Sequence, residues 1–325
     1  MRSAIHTTFG DPAEVLALGD SPVPEPGEGK VRIRTILAPI HNHDLWTVKG
    51  QYGYKPTLPA IGGSEAVGIV DALGDGVQGV AVGQRVAVAA AHGTWAEYFL
   101  ASARDLLPLP DSIADDVAAQ LIAMPFSAIS LLEFLNVKAG DWIIQNAANG
   151  AVGKTLAILA KARGVHVVSL VRRDAGIDEL AAIGIDNVVS TAKDGWKQRV
   201  QAIVGNNSLR AAVDSIGGTA SGDLVELLGE NGLLVSFGAT TDGPMHIVSG
   251  MLIFKQITVK GFWGSKVGST MPVEIKQQLI GELVRLAATG ELTLPVEAVY
   301  DLADVAKAAA ASAQPGRKGK VLLRP

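Results

Sequence analysis

Trp142-Ile143-Ile144-Gln145-Asn146-Ala147-Ala148-Asn149-Gly150-Ala151-Val152-Gly153-Lys154 decides the fold. An apolar strand runs into a turn of small residues and then a helix, expected over Lys154 to Arg163. That order aims the unpaired N–H groups of a helix N-terminus at a pyrophosphate, so the stretch reads as a nucleotide site. Ala148-x-Gly150-x-x-Gly153 is a degenerate Gly-x-Gly-x-x-Gly, and it gains force only from the strand and the basic pair beyond the helix. Val165 to Val171 reads as a buried parallel strand, at whose end a dinucleotide fold offers an acidic residue to the ribose 2′-hydroxyl. Arg172 and Arg173 stand there instead. Guanidinium groups hydrogen-bond and neutralise a 2′-phosphate that a carboxylate would repel, so NADPH is expected over NADH.

At 325 residues the chain has room for two domains, and 48% hydrophobic against 18% charged residues suits a parallel sheet covered on both faces. No apolar run approaches the roughly 20 residues that cross a bilayer, and Met1-Arg2-Ser3-Ala4-Ile5 enters a strand pattern directly, so no membrane role and a cytoplasmic location are expected. A net charge of −4 without a basic cluster argues against nucleic acid as a partner. The absence of cysteine removes disulfides and thiolate zinc sites together. His41-Asn42-His43-Asp44 is the one local cluster that suggests a metal; with no third His near, hydrogen bonding is the favoured role, and no metal is expected.

Up to about residue 120, Gly and Pro punctuate short alternating runs at Lys30 to Ala38, Ala66 to Ala72, Arg85 to Ala90 and Ala96 to Ala101, the pattern of an irregular, mostly antiparallel β domain. Helical spacing begins at Ala114 to Gln120 and Ala128 to Leu135, and strands then alternate with helices through Trp263. Ala211 to Asp214, Leu233 to Gly238 and Ile257 to Gly261 read as later parallel strands of a doubly wound domain. A helix, Pro272 to Thr289, and a closing strand, Lys320 to Leu323, are expected to return to the first domain. The fold class is therefore α/β. The division is 1–121 with 265–325, and 122–264.

Gly50-Gln51-Tyr52-Gly53, Leu58 to Glu65, Gln145 to Asn149 and Ile253-Phe254-Lys255 followed by Gly261-Phe262-Trp263, in this order around a mid-chain Gly-rich turn, resemble the medium-chain dehydrogenase/reductase superfamily. Within it the strings look like the mitochondrial-type trans-2-enoyl-thioester reductases. The resemblance implies a GroES-like β domain joined to a Rossmann domain with a doubly wound parallel sheet. Zinc-dependent alcohol dehydrogenases of the superfamily hold their metal with Cys, His and Cys, where this chain has His41, Ser64 and Met124, which makes alcohol oxidation unexpected. The reductases have Asn-Pro-Ser where His41-Asn42-His43 stands, and Asn at Met124.

The resemblance implies NADPH-dependent, metal-free reduction of the C=C bond of a 2-enoyl thioester, on CoA or an acyl carrier protein. Tyr52 falls at the proton donor's position, its phenol protonated at neutral pH. Tyr54 is its local competitor, and packing against Pro56 or Pro59 is the structural reading of Tyr52. Asn149, Gly150, Ala151, Val152 and Gly153 would face the pyrophosphate. Phe237, Gly238, Ala239 and Thr240 would lie near the nicotinamide ribose, and Lys320 would reach the cofactor, or else be solvated. Phe262 and Trp263 would flank the nicotinamide and acyl channel, with Trp263 in the catalytic set, or serve as core aromatics. Asp44 and Glu65 look structural. His41, Met124 and Phe126 are assigned to the substrate pocket, whose apolar Met124, Pro125, Phe126, Ile253 and Phe262 suit an acyl chain or a quinone ring. An NADPH:quinone oxidoreductase is the alternative enzyme, and a non-catalytic NADPH-binding protein the alternative of another class. A symmetric homodimer is expected through an edge strand, Met245 to Met251 or Thr258 to Phe262.

Overall fold

In a computed structural model, which describes residues 1–239 and 243–325, β1 (Arg2–His6) pairs antiparallel with β2 (Ala17–Asp20) beyond one helical turn, α1 (Pro12–Val15). In β3 (Lys30–Pro39) the exposed Lys30 and Arg34 alternate with buried Val31, Ile33 and Thr35, the period-two pattern of a strand with one face in the core. After α2 (Asn42–Val48) and β4 (Ala60–Ile61) come β5 (Glu65–Leu73), β6 (Arg85–Ala89), β7 (Tyr98–Ser102), β8 (Leu106–Pro108) and α3 (Asp115–Ala118). β5 and β7 each pair antiparallel with β3, and β6 pairs antiparallel with both β5 and β8.

The second unit starts in α4 (Ala123–Leu135) and alternates: β9 (Trp142–Gln145), α5 (Ala151–Ala162), β10 (His166–Val171), α6 (Ala175–Ala181), β11 (Val188–Ser190), α7 (Trp196–Val204), β12 (Leu209–Asp214), α8 (Thr219–Leu227), β13 (Leu228–Ser236), α9 (Ser249–Lys255), β14 (Thr258–Gly261), α10 (Gly264–Thr270) and α11 (Val273–Ala288). Its sheet is parallel in the order β11-β10-β9-β12-β13-β14. Ile143, Ile144, Val168, Leu170, Ala212 and Val213 are all buried, so these central strands read as continuous apolar runs without alternation. The order reverses at β9, and ligands of such sheets bind outside the carboxyl ends at that switch point.

The chain then returns to the first unit through β15 (Val296–Asp301), α12 (Val305–Ala313) and β16 (Lys320–Arg324), where β16 pairs with β3. Leu302, Val305, Val321 and Leu323 thereby join Val31, Ile33, Val70, Trp95 and Phe99 in one core.

The fold is α/β, with a GroES-like β domain and a Rossmann domain. Three details differ from the sequence reading. The compact units are Met1–Ala123 with Val284–Pro325 and Met124–Leu283, so residues 265–283 belong to the second unit and the crossing falls inside α11, not at 264/265. α5 begins at Ala151 instead of Lys154, because Gly150 takes the extended cap conformation and Ala151, Val152 and Gly153 enter the first turn. Met245 to Met251 is no strand: its end opens α9, and the edge of the sheet is β14. Among the described residues no helix is long and apolar enough to cross a membrane.

Candidate active site

In the second unit the turn after β9 is held by close backbone approach. Ala147 sits in the left-handed region at φ 50°, and a Cβ on Gly153 would stand 2.8 Å from Ala148 Cα and 3.1 Å from the Ala147 carbonyl oxygen. Only a glycine lets α5 start this near the strand's end. Gln145 Nε2 donates to the Gly153 carbonyl at 2.9 Å and to Ser169 Oγ at 3.2 Å, tying the helix to β9 and β10. Gly150 to Gly153 thus stand at the N-terminus of a 12-residue helix, where the dipole and free N–H groups favour an anion.

Beside this turn, at the carboxyl ends of β9, β10 and β12, lies a cleft walled by Asn146, Leu170, Arg172, Trp196, Ile216 and Leu224. Thr191 and Asp223 line it too, the carboxylate of Asp223 being paired with Lys197 at 2.6 Å, so the cleft combines apolar walls for a flat base with polar groups and the Arg172 guanidinium. Arg172 and Arg173 are both exposed. They part company: Arg172 lines the cleft, whereas Arg173 Nη2 lies 3.5 Å from Glu179 Oε1 on α6. The turn's Asn149 also reaches that carboxylate, Nδ2 donating to Oε2 at 2.8 Å.

The end of β12 is organised by Asp214, which is fully buried. Its carboxylate accepts from Asn146 Nδ2 at 2.7 Å, Ile216 N at 2.9 Å, Gly217 N at 3.0 Å and Ser221 Oγ at 2.5 Å. Asn146 Oδ1 in turn accepts from Ser215 N at 2.7 Å. Burial by itself raises this carboxyl's pKa, and the donors of Gly217, Ser221, Asn146 and Ile216 overcome it and hold the group below its usual range. Phe237 N and Gly238 N both donate to the Asp214 carbonyl. The Phe237 ring lies 5.9 Å from that of Phe262, which is buried and meets Phe134 of α4 edge-on at 5.3 Å. Phe262 is therefore a core aromatic, while Trp263 is 66% exposed. Ala239 is exposed, and Thr240 lies outside the described residues. Met124 and Phe126 are half-buried in the first turns of α4, with Lys276 Nζ 6.0 Å over the Phe126 ring.

The first unit gathers a second cluster at the start of α2. Asp44 Oδ2 accepts from the His41 backbone N–H at 2.9 Å, one half of a capping box. The His41 ring is fully buried with Nε2 2.6 Å from Glu65 Oε2. Burial first, and then the Lys320 charge, lower its pKa well below the ordinary histidine value, which keeps the ring neutral; its buried Nδ1 has no partner among the described residues. Glu65 Oε1 also accepts from Ile122 N at 2.7 Å and Ala123 N at 2.9 Å. Burial nevertheless pushes this carboxyl up to about 7. Lys320 is interior as well, its Nζ 3.4 Å from the Ile40 carbonyl oxygen, and burial brings it down to about 8.

Stacked on His41 at 5.0 Å is His43, whose Nε2 is 2.8 Å from Ser64 Oγ. The half-buried Tyr52 ring leans on His43 at 5.7 Å, and Tyr54, 43% exposed, stacks instead on His92 at 4.3 Å. Tyr52 thus packs on His43.

Residues 27–111 match the alcohol dehydrogenase GroES-like domain, and residues 151–282 the zinc-binding dehydrogenase family. The mitochondrial enoyl-[acyl-carrier-protein] reductase of Homo sapiens is 31% identical over 99% of this chain and 88% of its own length, and that of Arabidopsis thaliana 31% over 92% and 81%. The chain belongs to the medium-chain dehydrogenase/reductase superfamily. Among solved structures, a mycobacterial quinone oxidoreductase matches with TM-score 0.85 at 28% identity, and the Escherichia coli quinone oxidoreductase complexed with NADPH with TM-score 0.88 at 25%; each covers 100% of both chains. The protein is thus a medium-chain oxidoreductase, and both its fold and its solved relatives support a nicotinamide cofactor.

Zinc, which the name of one matched family carries, does not fit the residues this superfamily member presents. No three His, Asp or Glu side chains converge among the described residues, His41 Nε2 is taken by Glu65, and the other matching positions are Ser64 and Met124. A dinucleotide does fit, because the close packing of Gly153 on Ala147 and Ala148 sets the N-terminus of α5 beside the cleft.

Two expectations change. His41, assigned to the substrate pocket, has no exposed surface; Lys320, expected at the cofactor or in solvent, is enclosed with Glu65 and Asp44. Sequence reasoning missed Asp214 and Glu179. A carboxylate closing the apolar run Ala211-Ala212-Val213 is a readable signal of a buried, hydrogen-bonded acid, whereas Glu179 has the pattern of any solvated helix carboxylate.

Proposed function

We propose that this protein reduces the activated C=C bond of a 2-enoyl thioester, on CoA or an acyl carrier protein, with NADPH as cofactor and no metal. The carrying observation is Tyr52: a half-buried phenol in the Gly50–Gly53 loop, set against His43, in a chain similar over nearly its whole length to mitochondrial enoyl reductases. Asn149, Gly150, Ala151, Val152 and Gly153 would receive the pyrophosphate, Arg172 the 2′-phosphate, and Phe237, Gly238, Ala239 and Thr240 the nicotinamide ribose.

Bound there, the cofactor supplies a hydride for the β-carbon. The remaining demands fall on the chain. Negative charge that develops on the thioester oxygen needs a donor, and the α-carbon needs a proton; a phenol meets both by hydrogen-bonding first and transferring second. His43 fixes the phenol's ring, and the His41–Glu65 pair fixes His43 from behind. Half-buried Met124 and Phe126 suit the acyl chain, and Trp263, exposed, the entrance to it.

Quinone reduction is the second reading, favoured by the solved neighbours of that name. A panel of enoyl thioesters and quinones with NADPH separates the two. Rapid NADPH consumption with crotonyl-CoA is expected, cut by a factor of about 100 to 1,000 in Tyr52→Phe and little changed in Tyr54→Phe. Turnover with quinones alone would transfer the assignment to the second reading, and tight NADPH binding without turnover would remove both.

The same reading includes a symmetric dimer through β14, whose four residues are exposed along an open sheet edge near Ile253 and Phe254, 67% and 84% exposed. Sedimentation at micromolar concentration is expected to give twice 33.7 kDa; a species of 33.7 kDa would overturn it.

A further inference from the structure

The arginine pair after β10 is not used evenly. Arg172 borders the cleft and has no hydrogen bond or ion pair among the described residues, whereas Arg173 faces Glu179. Glu179 is itself fixed from two sides, since Asn149 of the Gly-rich turn donates to its other oxygen. Nearby, Lys193 pairs with Asp174 at 2.9 Å and Arg199 donates to backbone carbonyls, among them that of Ser190. Of the pair after β10, Arg172 alone has no carboxylate partner among the described residues.

A phosphate monoester carries about −1.5 to −2 charges at neutral pH and favours more than one cation. We infer that Glu179 sets the degree of NADPH preference: it neutralises Arg173 and anchors it to α6, leaving recognition of the 2′-phosphate to Arg172. This rests on the NADPH reading above and adds to it a residue that restrains specificity. The carboxylate acts twice, by occupying Arg173 and by repelling a second anion. Because Arg173 is about half exposed, the effect is moderated by solvent. Glu179 also binds the amide of Asn149, so the same side chain couples the pyrophosphate turn to the ribose end of the site.

Glu179→Gln keeps an acceptor for Asn149 and removes the charge. Fluorescence titration at fixed ionic strength is expected to show NADPH binding tightened about 2- to 5-fold, with NADH unchanged within error. Arg173→Ala should cost little in the wild-type chain and cancel the gain in the Glu179→Gln background, a coupling the double-mutant cycle reads directly. Unchanged or weakened NADPH binding in Glu179→Gln, or equal tightening of both cofactors, would overturn the inference. Arg172→Ala keeps this apart from the underlying reading. If it weakens both cofactors alike, the NADPH reading fails; if it is selective and Glu179→Gln is silent, only the role of Glu179 falls.

Discussion

Two fully buried carboxylates, Glu65 in the first unit and Asp214 in the second, meet opposite fates. Asp214 is held ionised below the usual carboxylate range, while Glu65 is pushed up to about 7. Neither side chain reaches the surface, but Glu65 lies deeper and loses more solvation than Asp214. Asp214 gathers two backbone N–H groups, a hydroxyl and an amide; Glu65 has two backbone N–H groups and a neutral imidazole, and its cationic neighbour Lys320 is itself lowered to about 8. Depth of burial together with the count and quality of donors decides which acid stays charged. One clamps the end of β12 in the second unit; the other titrates beside the His41–His43 stack in the first.

The comparison breaks most readily at Asp214. Asp214→Ala strands four donors in the interior and should cost about 3–5 kcal/mol of stability, read by urea unfolding. A loss below about 1 kcal/mol would mean that water reaches those donors and the clamp is not what keeps Asp214 ionised. Glu65 offers a test with the opposite sign. Its folded pKa, about 7, lies above the ordinary 4.5, so its favourable contribution is complete below pH 4.5 and is lost as pH rises through 7. Relative to Glu65→Gln, the wild-type chain should therefore lose about 2–3 kcal/mol across that window, seen in melting curves at each pH. Lys320, lowered from 10.5 to about 8, contributes in the other direction, with its stability lost as pH falls through 8.

Smaller changes sharpen the picture around the Asp214 side. Gly153→Ala places a Cβ against the backbone of Ala147 and Ala148 and should destabilise by about 1–2 kcal/mol, with a larger proportional loss in NADPH binding than in secondary structure. Equal cofactor affinity in that variant would show that the turn can yield. The mildest effect is expected at Ala147, whose left-handed backbone a glycine adopts freely; Ala147→Gly should be stabilising by up to about 1 kcal/mol in the same unfolding assay, less the chain entropy glycine adds to the unfolded state.

Much of the second unit is legible in the sequence. The strand–turn–helix at Trp142–Lys154 and the run ending at Val171 are local patterns, because a buried parallel strand needs an apolar stretch and a helix cap needs small residues. Periodicity misplaces the start of α5 by three residues, since cap geometry depends on Gly150's extended backbone. The strand expected at Met245 to Met251 fails for a similar reason: a short apolar stretch fits a half-buried helix as well as an edge strand. In the site, Arg172 and Arg173 are equals by sequence, and only the position of Glu179 on α6 separates them.

By itself the sequence determined the α/β class, the Gly-rich turn with its basic strand end, and the want of thiolate ligands, all of which follow from residue type and spacing over a few turns of chain. Only the tertiary structure decided that His41 and Lys320 are enclosed with Glu65, that Asp214 is clamped by Asn146 and Ser221, and that one arginine of the pair is spent. These are properties of charges and donors brought together from distant parts of the chain, and solvation and pairing, which set their protonation and their reach, exist only once the chain has folded around them.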